Sequence, residues 1–155
     1  MTIIRKDRIR PSVLIVDPDP LMLTAMGAML DQTGYRALMA RSQSVALELV
    51  HSVSVDVVVL SIDKLVAGCE LAQQLRTARS SFDAPIIFLV PQLDATWSKE
   101  LAAHGGVYSM LYPTDPSGLL ELIERVLWLP HLAANHQPRA SSHLDQVKDW
   151  IKLSD

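Results

Sequence analysis

An α/β fold, a three-layer sandwich around a parallel sheet, is what this sequence predicts, and three observations carry the prediction. Short apolar runs recur without polar alternation, VLIV from Val13, VVVL from Val57 and IIFLV from Ile86, as strands covered on both faces require. Between them lie stretches whose apolar residues fall at helical spacing. Twice, at Asp19–Pro20 and at Asp115–Pro116, an acidic residue fit to cap a helix precedes a proline fit for its first position. Five strand and helix pairs alternate in this way, and right-handed crossovers make the sheet parallel.

The first block, VLIVDPDP from Val13 to Pro20, reads as a buried strand with Asp17 at its mouth, followed by a helix that Asp19 caps and Pro20 begins. In an open α/β sheet that mouth is where ligands bind. From Leu21 to Leu30 a well-buried helix shows Leu23, Met26 and Leu30 on one stripe with Met22 and Met29 beside it, and Gly34 suits the position just past its end. Tyr35 to Ala40 reads as a second strand, after which Ser42 or Ser44 caps a helix through Val45, Leu47, Leu49 and Val50. Val55 to Ile62 is the strongest strand signal and suits a central position. Gly68 leads a helix around Leu71 to Arg79, Ser80 to Ala84 form a loop, and Pro85 and Pro91 bracket the next strand.

Asp94 caps a helix from Ala95 to His104 that stops at Gly105 and Gly106, VYSMLY forms the fifth strand, and Pro113 breaks it. Asp115 and Pro116 then open a final helix to Leu129. From Pro130 the composition turns to a polar linker, and Ser141 or Ser142 caps a C-terminal helix in which Leu144, Val147 and Ile151 share a face with Trp150 at its flank. The division is therefore an arm over 1–10, a domain over 11–132, and a linker with a short helix over 133–155.

Composition narrows the class. A chain of 155 residues, 49% of them apolar, is one domain with tails and buries a sizeable core unaided. A net charge of -3 does not suggest nucleic acid; only the arm, with Arg5, Lys6, Arg8 and Arg10 against Asp7, points to an acidic partner, and it reads first as a solvated lead-in. Cys69 is the only cysteine, which fits a reducing compartment. With neither a signal-peptide core nor a membrane-spanning run, the expectation is a soluble cytoplasmic protein. His131, His136 and His143 lack a cysteine or carboxylate set for zinc. There is no nucleophile-base motif, Gly-rich phosphate loop or hydrolase carboxylate pair, so neither an enzyme nor a cofactor is expected.

The blocks VLIVDPDP, DVVVLSID, GCELAQQLR, PIIFLVP and LAAHGGVYSMLYPTDPSGLLELI, in this order, give the chain a family likeness. Over about Pro11 to Leu132 it resembles the receiver domain of two-component response regulators, the CheY-like superfamily. The resemblance implies a flavodoxin-like (βα)5 sandwich with strand order 2-1-3-4-5 and a C-terminal helical extension, with the site at the carboxyl ends of the first, third and fifth strands. It also implies phosphoryl transfer from a histidine kinase to an aspartate, supported by an acidic pair around Mg²⁺, a lysine beside the acceptor and a switch hydroxyl. On this chain the acceptor position falls on Ser61, the switch hydroxyl on Val90 and the lysine on Tyr112, with Pro113 retained and its peptide bond expected to be cis as in the family. Of the acidic pair Asp17 remains, Pro18 follows it, and Asp19 stands one place further on.

Each departure removes a chemical part. A serine hydroxyl without an adjacent base is a poor nucleophile and forms no acyl phosphate, valine offers no hydrogen bond, and neutral tyrosine supplies no positive charge. The reading is a degenerate pseudo-receiver that works without phosphorylation, in signal transduction, by contact with a protein partner. Two alternatives stand beside it: Asp63 as a displaced acceptor, with Asp17, Asp19 and Asp63 around Mg²⁺, and a nucleic-acid-associated regulator using the basic arm. The partner surface is expected where Trp128 leaves the apolar stripe among Glu121, Glu124 and Arg125, with Trp97 and Tyr108 on the same face. The tail stripe of Leu144, Val147, Trp150 and Ile151 covers that face within one chain or across a homodimer.

Overall fold

The computed structural model describes residues 10–78, 83–104, 108–112 and 114–136. Strands β1 (Ser12–Val16), β2 (Arg36–Ala40), β3 (Val57–Ser61), β4 (Ile86–Val90) and β5 (Tyr108–Leu111) form one sheet. They alternate with helices α1 (Pro20–Gln32), α2 (Gln43–Ser52), α3 (Leu65–Thr77), α4 (Ala95–Ala103) and α5 (Pro116–His136). Every strand pair is parallel and the order is 2-1-3-4-5, the flavodoxin-like arrangement expected from the sequence. By contacts the chain divides into Met1–Leu120 and Glu121–Asp155, a boundary inside α5. No helix among the described residues is long and apolar enough to cross a membrane.

The apolar runs become strands for the expected reason. All five residues of β1 and of β4 are buried, and the core gathers Leu14, Val58, Leu60 and Phe88 from the sheet with Val50, Leu71, Leu75 and Leu101 from the helices. Parallel strands covered in this way have nowhere to place a polar side chain except at their two ends. Both edges of the sheet are polar for that reason.

The local punctuation works as read. Asp19 caps α1 through an Oδ1 that accepts the Leu21 N–H at 3.0 Å, Pro20 opens the helix, and Gly34 takes φ +91°, a conformation open to glycine, just past its end. Ser42 caps α2, Asp94 caps α4 by accepting the Trp97 N–H, and Asp115 accepts the Gly118 N–H at the start of α5. On α1, Leu23, Met26 and Leu30 are buried, whereas Leu21 stands in solvent.

Three expectations need correction. Gly68 does not lead α3; the helix begins at Leu65, and Gly68 lies inside it where a Cβ would come within 2.5 Å of Ile62 Cγ2. Its role is close approach between helix and the end of β3. The last helix does not stop at Leu129 but continues to His136, through the start of the stretch read as linker. Pro130 lies inside the helix, where it lacks the backbone donor of an ordinary helical residue. Arg10 is not part of a loose arm. Its guanidinium donates to the carbonyls of Gly34 (3.2 Å) and Tyr35 (3.0 Å) and pairs with Asp31 (3.2 Å), clasping the turn between α1 and β2. Beside it, the Ser12 N–H donates to Asp56 Oδ2 (2.8 Å) while the Asp56 N–H returns a bond to the Ser12 carbonyl (2.9 Å). Arg5, Lys6 and Arg8, the glycine stop at Gly105 and Gly106, and the tail residues Leu144, Val147, Trp150 and Ile151 lie outside the described residues.

Alanine at position 68 sets two effects against each other. Helix propensity alone would favour Gly68→Ala by about 1 kcal/mol, but the added methyl collides with the branched Cβ and Cγ2 of Ile62, and overpacking of this kind costs roughly 1–3 kcal/mol. The expected outcome in urea denaturation is a lowered midpoint for Gly68→Ala, which Ile62→Val does not restore because valine keeps the Cβ and Cγ2 that the methyl meets.

Candidate functional site

At the carboxyl edge of the sheet, the polar ends of three strands converge. The parallel register pairs Val16 with Leu60, which brings the next residues, Asp17 and Ser61, side by side. Asp17 is 1% exposed, and a carboxylate so deeply placed must find donors. It finds two: the Ser61 hydroxyl donates to Oδ2 at 2.8 Å and the Asp19 N–H donates to Oδ1 at 2.9 Å, while the Tyr112 phenol, one residue past β5, stands beside the carboxylate in the same cleft. Tyr112 is itself positioned by its N–H, which donates to the Val90 carbonyl at 2.7 Å.

Around this cluster lies a cleft of about 240 Å³, lined by Asp17, Pro18, Asp19, Ser61, Ile62, Asp63, Pro91 and Tyr112. Six of these eight were singled out from sequence; Ile62 and Pro91 were not. Val90 does not reach the cleft, because it is fully buried with the core. Pro113 and its peptide bond lie outside the described residues. What sequence reasoning missed is the joint role of Ser61 and Tyr112, each weighed there only for the group it lacks. The available signal was positional: a polar residue closes each of the first, third and fifth strands.

Burial first, then the negative charges of Asp17 and Asp19 and the bond to Asp17, push the Tyr112 phenol above its ordinary value near 10. Tyr112 is therefore a neutral donor at neutral pH. It cannot supply the positive charge that two neighbouring anions would need during phosphoryl transfer. The Ser61 hydroxyl donates to the Asp17 carboxylate, and a hydroxyl can in any case form only a phosphate ester, not the labile acyl phosphate of the family's aspartate.

The group that the resemblance implies, Mg²⁺, binds through one or two carboxylates and keeps several waters. Asp17, Asp19 and Asp63 line the cleft, and the bonds that Asp17 and Asp19 already make limit which of their oxygens face it. Both oxygens of Asp17 accept hydrogen bonds within the protein, Asp19 Oδ1 caps α1, and Asp63 is exposed at the cleft rim. Among the described residues, no three His, Cys, Asp or Glu side chains converge as a metal site would require.

The predicted interface residues are dispersed in character. Trp128 is 46% exposed with Glu121, Glu124 and Arg125 exposed around it on α5, as the helical projection requires. Trp97 is only partly exposed because it packs against the core, and Tyr108 is half-buried with its phenol pushed up by burial.

A parallel sheet in the order 2-1-3-4-5, with a cleft over an aspartate at the carboxyl ends of its first, third and fifth strands, defines the flavodoxin-like signalling fold. The chain belongs to the response regulator receiver domain family, whose match spans residues 13–124, and is thus a module of two-component signalling. Among solved structures it is similar to the chemotaxis response regulator CheY4 of Vibrio cholerae, at 24% identity and TM-score 0.69, covering 76% of this chain and 99% of that one. It is also similar to the non-phosphorylated HemR receiver domain of Leptospira biflexa, at 26% identity and TM-score 0.67, covering 77% and 95%. A response regulator of Thermotoga maritima matches at 21% identity and TM-score 0.64, covering 77% and 98%. No curated protein matches the sequence.

Removing either hydroxyl should expose the demand of Asp17 for donors. Ser61→Ala is expected to lower stability by about 1–3 kcal/mol, the cost of a buried acceptor left short of a partner, and Tyr112→Phe by about 1 kcal/mol. The two should be non-additive because they share one carboxylate. A phenol whose pKa is raised on folding stabilises the fold fully below the unfolded value, near 10, and loses that contribution as pH climbs through the raised one. Urea midpoints of the wild type and Tyr112→Phe should accordingly differ by a constant amount up to about pH 9 and converge above about pH 10.

Proposed function

We propose that this chain is a pseudo-receiver: a non-catalytic signalling module that acts through protein contacts and does not depend on phosphorylation. The observation that carries the reading is the buried carboxylate of Asp17 held by the Ser61 hydroxyl, with the neutral phenol of Tyr112 beside it. In a phosphotransfer site the same place must gather negative charge and then neutralise it; here Ser61 and Tyr112 are uncharged, and among the described residues no lysine or arginine lines the cleft to balance Asp17, Asp19 and Asp63. Val90 supports the same conclusion, since a buried aliphatic side chain offers a phosphoryl oxygen no hydrogen bond.

A module without chemistry of its own transmits a signal by being bound. Nucleic acid is a poorer fit than protein as the bound partner: the chain is acidic overall, and Arg10, one of the four cations of the arm, is engaged in the fold.

Incubation of the full chain with Mg²⁺ and acetyl phosphate, read by intact-mass measurement, is expected to leave the mass unchanged. A stoichiometric phosphoryl adduct that Asp63→Asn abolishes would overturn the proposal and make Asp63 the acceptor.

A further inference from the structure

Between α3 and α4 lies a groove of about 380 Å³ that shares no lining residue with the cleft over Asp17. Leu65, Val66, Cys69 and Glu70 face it from α3, and Glu100 and His104 from α4 and its C-terminal cap. Both helices start at the carboxyl edge and run the same way, so the aliphatic pair lies at one end of the groove and His104 at the other, with the two glutamates between them. The volume falls within the roughly 300–1,000 Å³ of small-molecule sites.

Two kinds of surface meet in this groove. Cys69 is 8% exposed, lines the groove, and among the described residues its thiol makes no hydrogen bond. Its burial, and then the negative charge of Glu100, push the thiol above its ordinary value, so at neutral pH it presents a protonated, soft surface continuous with Leu65 and Val66. Glu70 and Glu100 bring negative charge to the same space. Among the described residues neither is in an ion pair, and no lysine or arginine lines the groove; Lys64 and Lys99 neighbour it in sequence only. A metal ion does not match this charge, because among the described residues no three His, Cys, Asp or Glu side chains converge on one point. A cation with a body of its own does match, since an ammonium has three donors to share between two carboxylates while its arm covers the apolar wall. We propose that the groove binds a small organic cation, an ammonium on an aliphatic or aromatic arm, with the ammonium between Glu70 and Glu100 and the arm against Leu65, Val66 and Cys69. The groove stands apart from the cleft, so the inference holds whichever way the phosphorylation measurement falls.

The test is a titration of the isotopically labelled full-length chain with 2-phenylethylamine, followed by amide chemical shifts, with 3-phenylpropionate as the anion of similar shape. Saturable shifts should centre on 65–73 and 96–104 for the amine, and the propionate should produce none there. Glu70→Gln/Glu100→Gln, both at exposed positions that leave the core intact, should weaken the amine about tenfold. Absence of saturable binding, equal binding of the two probes, or unchanged affinity in the double variant would overturn the proposal. So would shifts centred on Asp17, Ser61, Asp63 and Tyr112, which would assign the cation to the cleft. Nα-acetyl-lysine methylamide presents the same ammonium as a protein side chain; tighter binding of that probe than of the amine would give the groove to a partner's lysine and overturn the small-molecule assignment. No phosphodonor enters this titration, so its failure and a phosphoryl adduct in the mass measurement are separate results.

Discussion

Covering a parallel sheet on both faces leaves its polar groups only two exits, the amino edge and the carboxyl edge, and the organisation of this chain follows from that constraint. The strands carry almost nothing but Val, Ile, Leu and Phe through the core, so every group able to form hydrogen bonds is displaced to one edge or the other. At the carboxyl edge this concentrates Asp17, Ser61 and Tyr112 in contact distance, and the near-complete burial of Asp17 makes their mutual satisfaction obligatory. The chemistry of the site is thus set by which side chains end the strands, far more than by the shape of the cleft.

Neighbouring receivers of similar topology show how much of this is architecture. The sheet order and helix alternation are held at identities near one quarter, because burial demands only apolar residues of suitable size. The strand ends are under no such demand and can be replaced together. At the end of the first strand a buried carboxylate still needs its hydrogen bonds, and Ser61 supplies one of them here.

What could be read from sequence was local. Asp19–Pro20, Asp115–Pro116, Ser42 and Asp94 act within their own turn, so their roles follow from the residue and its neighbours. The apolar runs were equally plain, since burial on both faces leaves no alternation to confuse with a helix. Gly68 was misread because its reason is Ile62, brought close by the turn of the chain from β3 into α3, and no propensity encodes that contact. Ser61 and Tyr112 were understood as absences, because Ser61 donates to Asp17 across 44 residues and Tyr112 reaches the same cleft from the end of another strand. The length of α5 escaped for another reason: a proline was read as an end, and α5 runs through Pro130 to His136.

The clasp at the amino edge has a consequence for how such a protein can change over evolutionary time. Arg10 ties the start of β1 to the turn before β2, and Asp56 ties it to β3, by bonds that share no atom with the carboxyl edge. The strands nearest the site are therefore held in register from the opposite end, and distant, unshared interactions contribute almost independently. A substitution at the cleft is thus felt at Asp17 and leaves the amino-edge bonds untouched. Change in the site is a local event, and the register at the far end of the strands does not have to be rebuilt with it.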